Sequence, residues 1–366
     1  MRNLQRHVDK KAHAMEMNIK VNASPTITDV ARVAGVSIKT VSRVMNKEPG
    51  VHTETREHVL RVVTQMKYRP KLSARSLAGA RSFLIGLLYY DPSAAFVSGV
   101  QQGATVRCRE AGYHLVVESV KDDAPDLGHQ VDQMISALQP DGMILTPPLC
   151  ENPNVLQALR ESETPCVLIS PERDSDGIPS VRMDDVLAAE QMTAHLISLG
   201  HKKIGFIKGP ADQAASALRY KGFSRAMKAH ALPVEKDFVY TGDFKFHSGL
   251  EGANKILSRR TRPTAIFASN DDMALGILAS AQSLGLVVPD DLSIAGFDDS
   301  PSASLVWPQL TTIRQPTAAM ARVAVEMLIT SAKTADDEVP VDVLSIHMVL
   351  AHELVIRLST GKPGKR

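Results

Sequence analysis

Thr26 to Asn46, TITDVARVAGVSIKTVSRVMN, is the stretch that most narrows what this chain can become. Its apolar spacing and punctuation predict two short helices around one tight turn. Thr26 is placed to cap the first, with Asp29 three residues on to close a capping box. Ile27, Val30, Ala31 and Ala34 recur at helical spacing on one face. Gly35 ends that helix, because glycine takes the positive φ of a helix C-terminus without a side-chain clash. Ser37 caps the second helix. At about 100° per residue, Val41, Val44 and Met45 fall on one side and pack inward. Ile38, Lys39, Ser42, Arg43 and Asn46 cover the opposite arc.

A solvated helix face ordinarily mixes both charge signs, whereas this arc holds two cations and no acid. Cations there meet phosphates or guanine edges, and an apolar side chain meets a thymine methyl. The pattern predicts a helix-turn-helix whose second helix enters the major groove of double-stranded DNA. The plainer alternative is a helical hairpin with a basic face. Charge distribution bears on the choice. Residues 1–81 hold 16 lysines and arginines against 6 acidic residues, while residues 82–366 hold 26 against 34. A basic head on an acidic body points to a polyanion partner for the head alone.

A third helix is expected from Thr53 to Met66, with Val59, Leu60, Val62, Val63 and Met66 inward. Tyr68-Arg69-Pro70 closes it. Lys71 to Gly79 is helical by composition but too short to be stable alone. Residues 1–25 are polar and basic, lack the apolar core of a signal peptide, and read as a disordered extension. No run approaches the roughly 20 apolar residues of a membrane span. Cys108, Cys150 and Cys166 have no metal-ligand spacing, and an odd count without a secretion signal fits a reducing cytoplasm. Cys150 and Cys166 are expected to be buried thiols. No cofactor and no metal are expected.

From Ser82 the pattern becomes apolar strands alternating with helices. FLIGLLYY (83–90), HLVVESV (114–120), GMILTP (142–147) and CVLIS (166–170) read as strands, with helices near 96–111, 128–138 and 153–162. A second run follows, with strands at 203–209, 238–241, 265–270 and 292–298 and helices at 185–199, 215–230, 248–259 and 271–284. Such alternation means parallel sheets with helices on both faces, and two runs suggest two lobes around a cleft. The expected divisions are an extension (1–25), a helical head (26–70), a linker (71–81), an α/β body (82–360) and a tail (361–366).

Ligands of open parallel sheets bind at the carboxyl ends of strands. Asp91, Asn270 and Asp298 follow predicted strands, and Arg219 lies on the helix after KIGFIKGP. Carboxylates and amides bind hydroxyl pairs bidentately, and arginine offers a planar donor fork. Phe244, in GDFKFHSG, is suited to stack on the apolar face of a ring. Asp271 and Asp299 are better explained as turn residues, since Asn and Asp are common past strand ends.

TITDVARVAGVSIKTVSRVMN, followed by TREHVLRVVTQMKYRP and ARSLAG, resembles the DNA-binding head of the LacI/GalR family of bacterial transcription regulators, and further matches run to the end of the chain. The resemblance implies an all-α helix-turn-helix head plus a two-lobed, periplasmic-binding-protein-like effector body in which the chain crosses between lobes three times. It implies that Thr26, Ser37, Ile38, Lys39, Thr40, Ser42, Arg43 and Asn46 meet operator DNA. It also implies a hinge that folds on the operator, with Lys71, Ala74 and Leu77 as contacts and Leu77 as the minor-groove wedge. In the body it implies Arg219, Phe244, Asn270, Asp298 and Gln315, beside Asp91, as effector-binding residues. Two positions depart from the family: His52 stands where a small polar cap is usual, and Lys71 where Asn is most frequent.

Enzyme readings fare poorly. G-x-G-x-x-G after the first strand, G-x-x-x-x-G-K-[ST], G-x-S-x-G and H-E-x-x-H are all missing. Asp298 and Asp299 adjoin, so their side chains diverge. His195, His201 and His230 look like helix-end or surface groups. The expected function is that of a cytoplasmic, homodimeric repressor of carbohydrate-utilisation genes, relieved by a sugar effector. A solute-binding protein without a DNA role and a sugar-processing α/β enzyme are the alternatives.

Overall fold

The computed structural model describes residues 25–45, 48–69, 81–90, 93–120, 124–175, 177–337 and 347–364. The chain divides into two compact units at residues 81 and 82.

The first unit is helical: α1 (Ile27–Ala34), α2 (Ile38–Met45) and α3 (Thr53–Gln65). Val30, Ala31 and Ala34 of α1, Val41 and Val44 of α2, and Val59 and Val62 of α3 form one small core, which Tyr68 closes. Leu60, expected inward, is 44% exposed. The i, i+3 pair Val59 and Val62 already fills the α3 stripe, and Leu60 lies about 100° round the helix from Val59.

The second unit holds two parallel sheets. The larger comprises β1 (Leu84–Tyr89), β2 (His114–Ser119), β3 (Gly142–Leu145), β4 (Cys166–Ile169), β5 (Ser180–Met183) and β11 (His347–Leu350), in the order β11-β5-β4-β3-β1-β2. Its helices are α4 (Ala94–Ala111), α5 (Leu127–Leu138), α6 (Pro153–Glu161) and α12 (Thr317–Asp337). Strand period two sorts the core. Ile85 and Leu87 pack with Val100 and Ala104 of α4 and Met320 and Ala324 of α12. Leu88 faces the other way, onto Val131 of α5 and Val155 of α6. The close approach of α4 to α12 depends on Gly103, where an added Cβ would collide with the Ala318 carbonyl.

The smaller sheet has the order β7-β6-β8-β9, from β6 (Ile204–Lys208), β7 (Val239–Thr241), β8 (Ala265–Ala268) and β9 (Ser293–Ala295). Phe206 and Phe267 face α7 (Asp185–Ser198) and α8 (Ala214–Ala229). Ile207 and Ile266 face α9 (Phe246–Leu257) and α10 (Asp271–Ser283). The short helix α11 (Pro301–Leu305) follows, and β10 (Thr312–Arg314) pairs antiparallel with β12 (Glu353–Val355). The chain therefore crosses between the sheets three times: from β5 to β6, from β10 to α12, and from β11 to β12. Both sheets are covered on both faces, as all-parallel sheets require.

Past β12 the chain runs along β9, where Ile294 N donates to Ser359 O at 2.8 Å. His201 sits beneath this strap and is 1% exposed, not at the surface as the sequence suggests. Its ring nitrogens lie 2.8 Å from Thr264 Oγ1 and 2.9 Å from the Gly361 carbonyl. A histidine just past a helix reads as a surface group until the strap that buries it, from 160 residues away, is in place. Cys108 and Cys150 are buried thiols, whereas Cys166, at the start of β4, is only half-buried. No helix among the described residues is long and apolar enough to cross a membrane.

Candidate functional site

Two sites are built, one in each unit. In the head, Thr26 N donates to Asp29 Oδ2 at 3.0 Å and Asp29 N to Thr26 Oγ1 at 3.3 Å, closing the capping box. Hydrogen bonds from Thr26 and Arg32 hold the Asp29 carboxyl below its usual range. Gly35 has φ 65°, which ends α1 and turns the chain. Ser37 Oγ accepts from Thr40 N at 3.1 Å and caps α2. The hydroxyls of Thr26, Ser37 and Thr40 thus serve helix ends. Ile38, Lys39 and Arg43 are exposed on α2, and Ser42 is half-buried beside them. The acid that this face lacks in its own helix comes from the following loop: Glu48 lies 3.7 Å from Arg43 Nε. Both partners are exposed, so the pair holds Arg43 only weakly. Asn46, Lys71, Ala74 and Leu77 lie outside the described residues.

In the body, a cleft of about 530 Å³ opens between the two sheets. Arg219, Phe244, Asn270, Asp298 and Gln315 all line it, and Asp91 lies outside the described residues. Arg219 is 5% exposed. Its Nε donates to Asp185 Oδ1 at 2.8 Å and its Nη1 to the Ser269 carbonyl at 2.6 Å. The guanidinium stacks 3.7 Å over the Phe297 ring. Asp298 Oδ1 lies 3.8 Å from Arg219 and accepts from Gln315 Nε2 at 2.6 Å. Burial pushes the Asp298 carboxyl up, and Arg219 and Gln315 pull against it. Asn270 caps α10 by accepting from Met273 N, and its amide donates to the Phe244 carbonyl at 2.8 Å. That bond ties the aromatic wall to the helix end.

The neighbouring carboxylates diverge. Asp299 leaves the cleft for Arg314 and Arg357, at 2.7 and 2.6 Å. Asp271 is buried and accepts from Thr312 Oγ1 at 2.6 Å and Ser300 N at 2.7 Å, joining α10 to β10. Both are structural, as turn chemistry suggests.

Several lining residues escape sequence reading: Asp185, Tyr90, Ser93, Phe96, Ser170 and Gln213. Asp185 follows β5, a four-residue strand that period-two patterning does not resolve. Ser93 and Gln213 stand at the N-cap positions of α4 and α8, yet neither makes a capping hydrogen bond among the described residues. Ser93 Oγ and Gln213 Nε2 are buried without a partner among the described residues. The backbone is strained at the same place: Ser170, Phe244 and Asp298 have φ of 51°, 67° and 122°. Non-glycine residues hold such angles at a cost of order 1–3 kcal/mol, and they cluster at ligand clamps.

Comparisons with known proteins identify the family of each unit. The family described as "Bacterial regulatory proteins, lacI family" matches residues 26–71, and "Periplasmic binding protein-like domain" matches residues 193–360. Catabolite control protein A of Priestia megaterium is 36% identical over 304 residues, 83% of this chain and 91% of its own. The ribose operon repressor of Escherichia coli K12 is 33% identical over 307 residues, 83% of this chain and 92% of its own. Among solved structures, the lac repressor dimer bound to operator and the anti-inducer ONPF matches with TM-score 0.75 and 26% identity, covering 93% of this chain and 100% of that one. A complex of the transcriptional regulator CelR with cellobiose matches with TM-score 0.67 and 28% identity, covering 92% and 99%. The chain therefore belongs to the lacI family of bacterial regulatory proteins, as a transcriptional regulator with a DNA-binding helix-turn-helix head and a periplasmic-binding-protein-like body.

Proposed function

We propose that this regulator is a cytoplasmic homodimeric repressor that reads an operator with the exposed face of α2 and releases it when a sugar fills the cleft. One observation carries the ligand half of this reading. A buried arginine is locked among Asp185, Ser269 and Asp298 at the mouth of two lobes, while polar groups without a partner among the described residues and strained backbone face the same space. Structural cores satisfy their polar groups, so a cavity that leaves them open is built for a ligand. Tyr90, Phe96 and Phe244 add aromatic walls. The cellobiose of the CelR complex supports a sugar by similarity.

The coupling runs through the linker. Arg219, Asn270 and Asp298 belong to one unit and α2 to the other, so effector and operator do not compete by overlap. Lys71, Ala74 and Leu77 are the candidates for a bistable hinge on sequence grounds: the segment is marginal as a helix alone. Effector that closes the cleft separates the two hinge helices of a dimer, and the Leu77 wedge is lost. Coupling of this kind is typically ~1–3 kcal/mol and reciprocal. Operator affinity measured with and without sugars tests the reading, together with sugar affinity measured with and without operator. Equal affinities in both states would remove the hinge mechanism, and tighter operator binding with sugar would make the ligand a corepressor.

A further inference from the structure

The chemistry of the cleft narrows its ligand further, on the premise that it is the effector site. Of the described residues that line it, one is a cation, Arg219, and two are carboxylates, Asp185 and Asp298. The guanidinium is already matched within the protein: Asp185 at 2.8 Å, the Ser269 carbonyl at 2.6 Å, Asp298 at 3.8 Å, and a ring face at 3.7 Å. A phosphate or carboxylate entering here finds no unmatched positive charge among the described residues. It finds two acidic side chains inside low-dielectric walls, where like charges repel more strongly than in water.

Two neutral groups are in the opposite position. Ser93 Oγ and Gln213 Nε2 face the cleft with no partner among the described residues, in residues 9% and 4% exposed. A buried donor without an acceptor is unfavourable, and a ligand oxygen relieves it. The two come from opposite lobes: Ser93 opens α4 on the six-stranded sheet, and Gln213 opens α8 on the four-stranded one.

We propose that the cleft takes an uncharged polyhydroxyl ligand, bridged between the lobes by Ser93 and Gln213, and rejects phosphorylated and acidic sugars. Gln213 Nε2 donates to a hydroxyl oxygen of the ligand, and Ser93 Oγ exchanges a hydrogen bond with another. Each lobe completes its own hydrogen bonding only when the same ligand spans both, so these two residues link occupancy to closure. Arg219 acts as a fixed donor fork held by its acids and not as an anion receptor.

The full-length protein is titrated with ribose, glucose, galactose and cellobiose, and with ribose 5-phosphate, glucose 6-phosphate and galacturonate at matched ionic strength, reading saturable rises in melting temperature and calorimetric affinity. The expected result is that at least one neutral sugar binds and that no charged sugar does. Gln213→Leu and Ser93→Ala should each weaken the bound sugar about tenfold, the loss of one net hydrogen bond. Gln213→Glu, nearly isosteric, removes the donor and adds a third carboxylate, and should weaken binding further. Melting temperatures without sugar identify variants that fold. A charged sugar that binds as tightly as its neutral parent overturns the proposal while the effector reading stands. Unchanged affinity in folded Gln213→Leu and Ser93→Ala overturns the bridge. Binding of no sugar of either kind overturns the effector reading and the proposal together.

Discussion

Arg43 and Arg219 show how one residue type does opposite work according to its surroundings. Arg43 is exposed on α2, and the acid beside it, Glu48, is also exposed and 3.7 Å away. Such a pair contributes little to stability, so Arg43 is free to leave it for a guanine edge. Arg43→Ala should relax specificity at one position of each half-site by ~1–3 kcal/mol and leave the melting temperature almost unchanged. Titrations against the operator and single-base variants check this, and a uniform loss on all sequences would make Arg43 a phosphate contact instead. Arg219 is enclosed, with Asp185 as its buried counter-charge. Removing one member of a buried pair strands the other, at roughly 3–5 kcal/mol. Asp185→Ala should therefore lower the urea midpoint of the body markedly, well beyond what its few cleft contacts suggest. A change under about 1 kcal/mol would show that the pair is relaxed by water.

At the scale of elements, helix ends and helix approaches carry separate, local stability. The capping box of α1 satisfies two orphan donors of the first turn. Thr26→Ala should cost the head ~0.5–2 kcal/mol, seen as a lower first transition in calorimetry with the body transition unmoved. A shift of both transitions would mean that the two units melt as one. In the body, Gly103 lets α4 lie against the Ala318 carbonyl. Gly103→Val must push α4 from α12, and overpacking of this kind typically costs ~1–3 kcal/mol. Chemical denaturation of the variant checks it.

At the scale of the whole molecule, His201 joins three remote pieces: Thr264 before β8, Ser293 on β9 and Gly361 in the terminal strap. Burial holds its pKa below the usual 6.5. The folded ring resists the proton that the unfolded chain accepts, so this contribution is complete above pH 6.5 and is lost as pH falls below it. Asp298 and Asp271, pushed up by burial, act with the opposite sign, since the folded state takes up their protons first as pH falls. The histidine is therefore isolated by difference. The stability advantage of wild type over His201→Asn should shrink between pH 7.5 and 5.5, by at most ~1.4 kcal/mol per pH unit. An advantage independent of pH would mean that the ring takes up its proton alike in the folded and unfolded chains. The head contributes no strand to either sheet, so residues 82–366 should fold without it and keep effector affinity while losing operator binding. Calorimetry of the truncate checks both.

Much of this is legible in the sequence, and the limits are physical. Thr26, Asp29, Gly35 and Ser37 announced the paired helices, because a helix end is decided by residues within four positions of it. Most strands of the two sheets, β1 to β4 and β6 to β9, are legible as apolar runs, because parallel strands buried on both faces carry no polar alternation. Arg219, Asn270 and Asp298 were legible because strand ends and the helices after them are where such sheets bind ligands. β5, β10, β11 and β12 place a polar or charged residue within a short strand, which breaks the apolar run without leaving room for a period, and Asp185 is hidden with β5. Pattern alone placed Leu60 inward, but α3 has room for one stripe only, and the core chose Val59 and Val62. His201 reads as a surface group because the strap that buries it is 160 residues away. What the sequence determined by itself was local: where helices start and stop, and which segments form the sheets. Which polar groups end without a partner was decided only by the tertiary structure. A hydrogen bond depends on everything within about 3 Å, and Ser93, Asp185, Gln213 and Arg219 become neighbours of one cleft only after both sheets are built.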